Sequence, residues 1–268
     1  MILRKYFAAL FAALLFTGAS LANAAAPIDV IWNPSATPLS TSGAFTFDNV
    51  LINTYANIDI TGGGTAFSEQ GFAVLQIFSN NGLPTQVPQT AASPYSLYLS
   101  FTATGTQTAG IPSTGSFTSL NYQLLGASGV TTFAANASGV FSPTGAAPIT
   151  LATGSLLAAG SVSLTGTPGA LLPAAQIFTT FVPNPAFAGF FVNPAVTQIL
   201  DMSAAFTNTG SVITQIPLSG TDFRLSLNGG GGNATFAPHV PEPETYAMLL
   251  AGLGLMGFVA RRRKQRAV

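Results

Sequence analysis

The 268-residue sequence has no cysteine, one histidine and one tryptophan, and charged residues make up only 6% of it. Without cysteine there is no disulfide staple, no lipid-modified cysteine anchor and no thiolate metal site. The fold must hold by its apolar core alone, and the chain is long enough to bury one. His239 is the sole histidine and lies close to the C-terminus. Neither a Ser-His-Asp nor a Cys-His constellation is therefore open to a folded domain ahead of it. The formal net charge of zero conceals a segregation. Seven of the eight basic residues lie in the two ends: Arg4, Lys5, Arg261, Arg262, Arg263, Lys264 and Arg266. Between Ala25 and Ala237, Arg224 is the only base, against Asp29, Asp48, Asp59, Glu69, Asp201 and Asp222, so six acids less one base leave five negative charges. A weakly acidic domain without a basic patch excludes nucleic acid as a partner. Ser, Thr, Asn, Gln and Gly supply its polar surface instead, which suits association with a hydrated neutral polymer.

The N-terminus has the order of a secretory signal peptide, residues 1–24. Arg4 and Lys5 precede the apolar run Tyr6–Phe16, and Ala22-Asn23-Ala24 fits the A-x-A cleavage site, with Ala24-Ala25-Ala26 beside it. This predicts a helix removed at Ala22 and Ala24 by signal peptidase after passage through the general secretory machinery.

Residues 25–237 read as one β-rich domain. After a proline-bounded lead-in with Trp32, Phe45–Ile52 is the first strand, and Ile58 and Ile60 alternate with Asn57 and Asp59 in the next. Phe72–Phe78 is more continuously apolar and is expected to be covered on both faces. Tyr95, Leu97, Leu99, Phe101 and Ala103 alternate with Ser96, Tyr98, Ser100 and Thr102, the period of two of a half-buried strand. Leu120-x-Tyr122-x-Leu124, Ile149 with Leu151, Val162 with Leu164, Ile177-x-Thr179-x-Phe181 and Phe223-x-Leu225-x-Leu227 continue the pattern. Asn80-Asn81-Gly82, Ser128-Gly129, Ser142–Gly145 and Thr167-Pro168-Gly169 supply turn chemistry between the runs. The expected fold is all-β, an antiparallel β-sandwich or jelly roll, with a β-helix as the alternative that lacks a fixed repeat. Pro194–Phe206 admits a short helix on which Val196, Ile199, Leu200 and Met202 share a face. Asn228–Asn233, with four consecutive glycines inside it, reads as a flexible break. The domain is expected to end near Ala237.

No residue pattern singles out a catalytic site, a metal or a cofactor. Glu69 is the sole glutamate of the domain; Asp48, Asp59, Asp201 and Asp222 are its candidate partners for glycoside hydrolysis, but no spacing selects a pair. Asp222 is expected to neutralise Arg224. Asp59–Gly64 faintly resembles a calcium turn but reads better as a glycine-rich hairpin loop. Gly229–Gly232 is no phosphate loop, because no lysine follows. Asn136-Ala137-Ser138 and Asn233-Ala234-Thr235 match the glycosylation sequon, a weak signal. Aromatic rings and hydroxyl groups are the chemistry that binds sugar, yet Trp32 is the only tryptophan available for stacking.

The C-terminus, residues 238–268, carries the most specific pattern. Pro241 and Pro243 cannot sit inside a helix or a central strand, and each pushes the residue before it toward extended geometry. Val240-Pro241-Glu242-Pro243 is thus a stiff, extended peptide with one carboxylate. The uncharged Leu/Gly-rich run Tyr246–Ala260 would span about 22 Å as a helix, short for a hydrocarbon core of ~30 Å. Long basic side chains and local thinning would accommodate it. Arg261, Arg262, Arg263, Lys264 and Arg266 follow as a stop-transfer cluster that keeps the end cytoplasmic.

Val240-Pro241-Glu242-Pro243-x-Thr245, the apolar span and the basic end together resemble the PEP-CTERM sorting signal. The resemblance implies export across the inner membrane of an exopolysaccharide-producing Gram-negative bacterium. It further implies that an exosortase, a membrane-embedded cysteine transpeptidase, recognises Pro241-Glu242-Pro243 and removes the tail. The mature protein would then reach the outer surface or extracellular matrix. Asn33-Pro34, Phe45-Thr46-Phe47-Asp48-Asn49 and Tyr55 are loosely similar to flocculation-associated PEP-CTERM proteins. The expectation is a non-enzymatic matrix protein acting with exopolysaccharide in biofilm or floc formation; the alternative is a secreted lectin or glycan-acting enzyme.

Overall fold

The computed structural model describes residues 27–90, 94–167, 170–195, 197–207 and 212–239. Its strands are β1 (Val30–Trp32), β2 (Phe45–Phe47), β3 (Asn49–Thr61), β4 (Ala66–Asn80), β5 (Leu83–Gln86), β6 (Tyr95–Gln107), β7 (Ser113–Ser128), β8 (Thr132–Ala135), β9 (Phe141–Thr144), β10 (Ile149–Thr167), β11 (Ala170–Pro183), β12 (Phe191–Asn193), β13 (Leu200–Thr207), β14 (Val212–Pro217) and β15 (Phe223–Pro238). Among the described residues there is no α-helix, only short 3-10 turns at Pro34–Ala36 and Pro185–Phe187. No described helix is long and apolar enough to cross a membrane. The span expected at 246–260 lies outside the described residues.

Eight strands close into one antiparallel barrel in the order β3-β4-β6-β7-β10-β11-β13-β15, and β15 returns to β3. This corrects the expected two-sheet sandwich and excludes the β-helix. Alternation along a strand separates inside from outside, but it is the same whether the inner faces belong to two sheets or to one rolled sheet. The deciding element is β15, whose C-terminal half pairs with β13 while its length pairs with β3. Closure removes most sheet edges, leaving β5 beside β4 and β14 beside β15 as short edge strands. That matters in a chain too poor in lysine to guard an edge with charge.

The helix admitted at Pro194–Phe206 does not form across Leu200–Phe206, which belong to β13. Leu200, Met202 and Ala204 are buried, alternating with half-exposed Asp201 and Ser203, so period two wins over the helical face. The glycine run expected as a break lies within β15. Gly229 takes φ 88° beside an irregularity in the ladder between Asn228 and Gly230. A Cβ on Gly232 would come within 2.8 Å of the Ala205 carbonyl and of the Phe206 ring. The run is therefore where β15 changes neighbour from β14 to β13 at close approach. Phe45–Ile52 is two strands bent at Asp48, and Ile58 and Ile60 continue the second of them. Ser142–Thr144 belongs to β9 rather than to a turn. The turn instead falls at 136–139, where Asn136 Oδ1 accepts the backbone N–H groups of Ser138 and Val140. Asn81 and Gly82 turn with positive φ as expected, and β10 and β11 flank 168–169.

The inner face is apolar and the outer face mostly polar, the reverse of a barrel that faces lipid. Tyr95, Leu97, Leu99 and Ala103 are buried inside, while Thr102 and Thr104 are exposed outside. The β8–β9 hairpin covers one outer patch: Phe133 lies 5.2 Å from Tyr55, 5.1 Å from Phe72 and 5.2 Å from Tyr98, ring to ring. The hairpin thus covers the outer side at Phe72 and Val74, while Gln76 within the expected two-sided run Phe72–Phe78 stays exposed. One end of the barrel is closed by the three-stranded sheet β12-β1-β2. It delivers Trp32, 1% exposed, into a ring cluster with Phe47, Phe78, Phe181, Phe190, Phe191 and Phe236.

Candidate functional site

The sorting residues Val240, Pro241, Glu242, Pro243 and Thr245, the basic cluster Arg261–Lys264 with Arg266, and the cleavage residues Ala22 and Ala24 lie outside the described residues. The described chain reaches His239, one residue past β15, whose Pro238 pairs with Leu200. His239 Nδ1 sits 2.6 Å from Asp201 Oδ1, with about a quarter to a third of each side chain exposed (31% and 26%). The histidine thus fastens the end of the last strand beside β13.

The aspartates are taken up by structure. Asp48 accepts the backbone N–H of Asn81 at 2.9 Å, and Asp29 accepts the Asn80 amide at 2.9 Å. Asp59 takes both Nε and Nη2 of Arg224, at 2.5 and 2.6 Å, and Arg224 Nη1 reaches the Ser138 carbonyl at 2.9 Å. The partner of Arg224 is therefore Asp59 and not the expected Asp222, which accepts the N–H of Gly63 at 3.4 Å. Register explains this: Asp59 stands directly opposite Arg224 across β3 and β15. Gly62, Gly63 and Gly64 form the β3–β4 turn with φ 63°, 69° and 90°, so the segment is a hairpin loop. No group of three or more ligating side chains occurs among the described residues. In Phe45-Thr46-Phe47-Asp48, the rings enter the plugged end and the carboxylate holds the turn after β4.

Glu69 differs from all of these. It pairs with Ile58 on β3 and Ala103 on β6, on the inner face of the barrel. It lines a chamber of ≈ 80 Å³ together with Thr54, Phe67, Leu99, Phe117, Tyr122 and Met202, among other apolar residues. Its side chain keeps some open surface toward the chamber, yet protein surrounds it, and burial pushes its pKa up to about 7. Asp59, next to Ile58 on the neighbouring strand, points outward to Arg224, so the barrel wall separates the two carboxylates. Among the described residues no second carboxylate faces Glu69, and the pair that glycoside hydrolysis needs is not assembled. The signal for this placement is present in the sequence: Phe67, Glu69, Gly71, Ala73 and Leu75 share one parity.

A second concavity lies on the outer face of β6, β7, β10 and β11. Ser100, Thr102, Asn121, Gln123, Thr153, Ser155 and Thr180 line a shallow, uncharged groove. Ser155 and Thr180 contact each other: the Ser155 backbone N–H donates to Thr180 Oγ1 at 3.1 Å. The groove follows from outward alternation on four adjacent strands, in which Thr102 faces Asn121 and Ser100 faces Gln123. Sequence patterning marks each residue as outward but does not say that these strands are neighbours. Trp32, the one tryptophan considered for sugar stacking, is buried in the plug instead.

Residues 239–264 match the family model of the PEP-CTERM protein-sorting motif. The chain carries this sorting signal, which implies export, a transient stay in the membrane and processing by exosortase. The match starts just past the last barrel strand and leaves the barrel uncovered. Neither a curated protein nor a solved structure matches the chain.

Proposed function

We propose that the protein is a non-enzymatic component of the cell surface or extracellular matrix, delivered through its PEP-CTERM signal and acting with exopolysaccharide in biofilm or floc formation. The observation that carries the proposal is the sorting motif at 239–264, because it assigns the chain to an export route. The barrel adds the chemistry. Its outer groove offers hydroxyl and amide groups without charge, suited to the hydroxyls of a neutral polysaccharide. Among the described residues the inner carboxyl has no second carboxylate facing it with which to share acid and base roles, which favours a binding or structural role over hydrolysis.

The test is deletion of the gene, complemented either by the full chain or by a chain lacking residues 241–268. The full chain restores aggregation and is found outside the inner membrane; the truncated chain does not reach that location. Unchanged aggregation and unchanged polysaccharide retention after gene deletion would remove the proposed role.

A further inference from the structure

The chamber around Glu69 is larger than the ~10–15 Å³ that one water requires, at ≈ 80 Å³. Well-packed interiors leave few voids of that size. Its lining is almost wholly apolar, and apart from Ser163 its polar residues divide into two kinds. Gln107 and Tyr122 are engaged with the protein, Gln107 Nε2 donating to the Gly64 carbonyl at 3.2 Å and the Tyr122 hydroxyl to the Thr180 carbonyl at 2.7 Å. Glu69 and Thr54 are not. Thr54 is 4% exposed and its Oγ1 has no hydrogen-bond partner among the described residues. Glu69 makes no hydrogen bond to another described residue. Buried polar groups are normally paired; Thr54 Oγ1 is sealed in the wall, while the Glu69 carboxyl remains reachable and has no partner among the described residues, so it asks for one from outside the chain.

Their placement gives that partner a shape. Glu69 stands opposite Ile58, and Thr54 lies four residues earlier on β3, toward the aromatic plug. At ~3.3 Å per residue the two levels are about 13 Å apart along the strand. Phe67, Leu99, Phe117 and Met202 are among the walls.

We propose that the chamber binds a compact apolar molecule whose single hydrogen-bond-donating head, an ammonium or a hydroxyl, sits on the Glu69 carboxyl while its body extends among the apolar walls toward Thr54. A donor head meets a carboxyl that no described residue satisfies, and an apolar body fills a void that water solvates poorly. The proposal concerns the barrel alone and stands whether or not the tail is sorted as described.

The test uses the full chain in lipid nanodiscs, labelled with carbon-13 at its methionine methyl groups. Of Met1, Met202, Met248 and Met256, Met202 is the one among the described residues and it lines the chamber; Met202→Leu assigns its signal. Hexylamine, 1-hexanol and headless toluene are the probes, with free probe concentrations measured. A saturable shift of the Met202 methyl with hexylamine is expected, with at least tenfold weaker binding in Glu69→Gln, which keeps the side-chain shape. Glu69 is the only charged residue on the described inner face; Tyr122 is the other titratable group in the chamber, and burial holds it well above its ordinary range. Hexylamine affinity should therefore fall as pH drops below about 7, where Glu69 takes up its proton, while 1-hexanol affinity holds. If 1-hexanol binds as tightly as hexylamine and weakens in Glu69→Leu, the natural head is a hydroxyl. No saturable Met202 shift with either probe overturns the proposal. So does toluene binding as tightly as both, with the Glu69 variants changing nothing.

Discussion

At one end of the barrel Trp32 meets six phenylalanine rings at centroid distances of 4.9–6.1 Å. At the other, the same inner face leaves a chamber of ≈ 80 Å³ around a lone carboxyl. The wall between them is built from the same long strands, except that β13 ends at Thr207 and β14 takes its place beside β15. The difference comes from what lies outside the ring: β1, β2 and β12 push aromatic side chains into one end, and no such sheet fills the chamber. An eight-stranded barrel has an interior that side chains can fill or that can hold one small ligand. Here one end of the barrel is filled and the other is hollow.

That contrast has measurable consequences. Trp32→Ala should remove about 3–5 kcal/mol of stability in urea unfolding, as expected for truncating a large aromatic in a close-packed core. A loss under about 1 kcal/mol would mean the plug is not what holds the barrel. Glu69→Gln should act in the opposite direction. The folded state keeps the Glu69 proton up to about pH 7, whereas the unfolded chain releases it near 4.5. Stability should therefore fall as pH rises through that window and level off above it. Glu69→Gln should flatten this slope and stabilise the protein at pH 8 by up to about 3 kcal/mol. An unchanged slope would show that Glu69 is well solvated and the hollow end open to water. Asp59→Ala strips Arg224 of its two charge-assisted hydrogen bonds on the outer wall of the hollow half, and should cost about 1–2 kcal/mol. Thr54→Val replaces an unpaired buried hydroxyl with a methyl and should stabilise by about 1 kcal/mol.

Much of the wall was legible in the sequence. The alternation from Tyr95 to Ala103 and the parity of Phe223, Leu225 and Leu227 assign the inward faces directly. The ring was not legible, because closure depends on which strands pair at long range. β13 sits in a segment whose apolar spacing also fits one helical face, and β15 contains glycines that read locally as a break. Both become strand only because close approach of β13 to β15 requires them to be. The partner of Arg224 was missed for a related reason: Asp222 is near in sequence, but Asp59 is opposite in register. The tail is the reverse case, since the order Pro-Glu-Pro, apolar span and basic cluster is local and survives without any fold.

The claim on which the functional account turns is that the tail is a sorting signal lost on the way out. Intact mass and C-terminal peptide mapping of the protein recovered from outside the cell test it directly. The account requires a chain that ends before Arg261, and retention of the uncut form when Glu242 is changed to alanine. Recovered protein that still carries Arg261–Lys264, with Glu242→Ala indistinguishable from the unaltered chain, would contradict it.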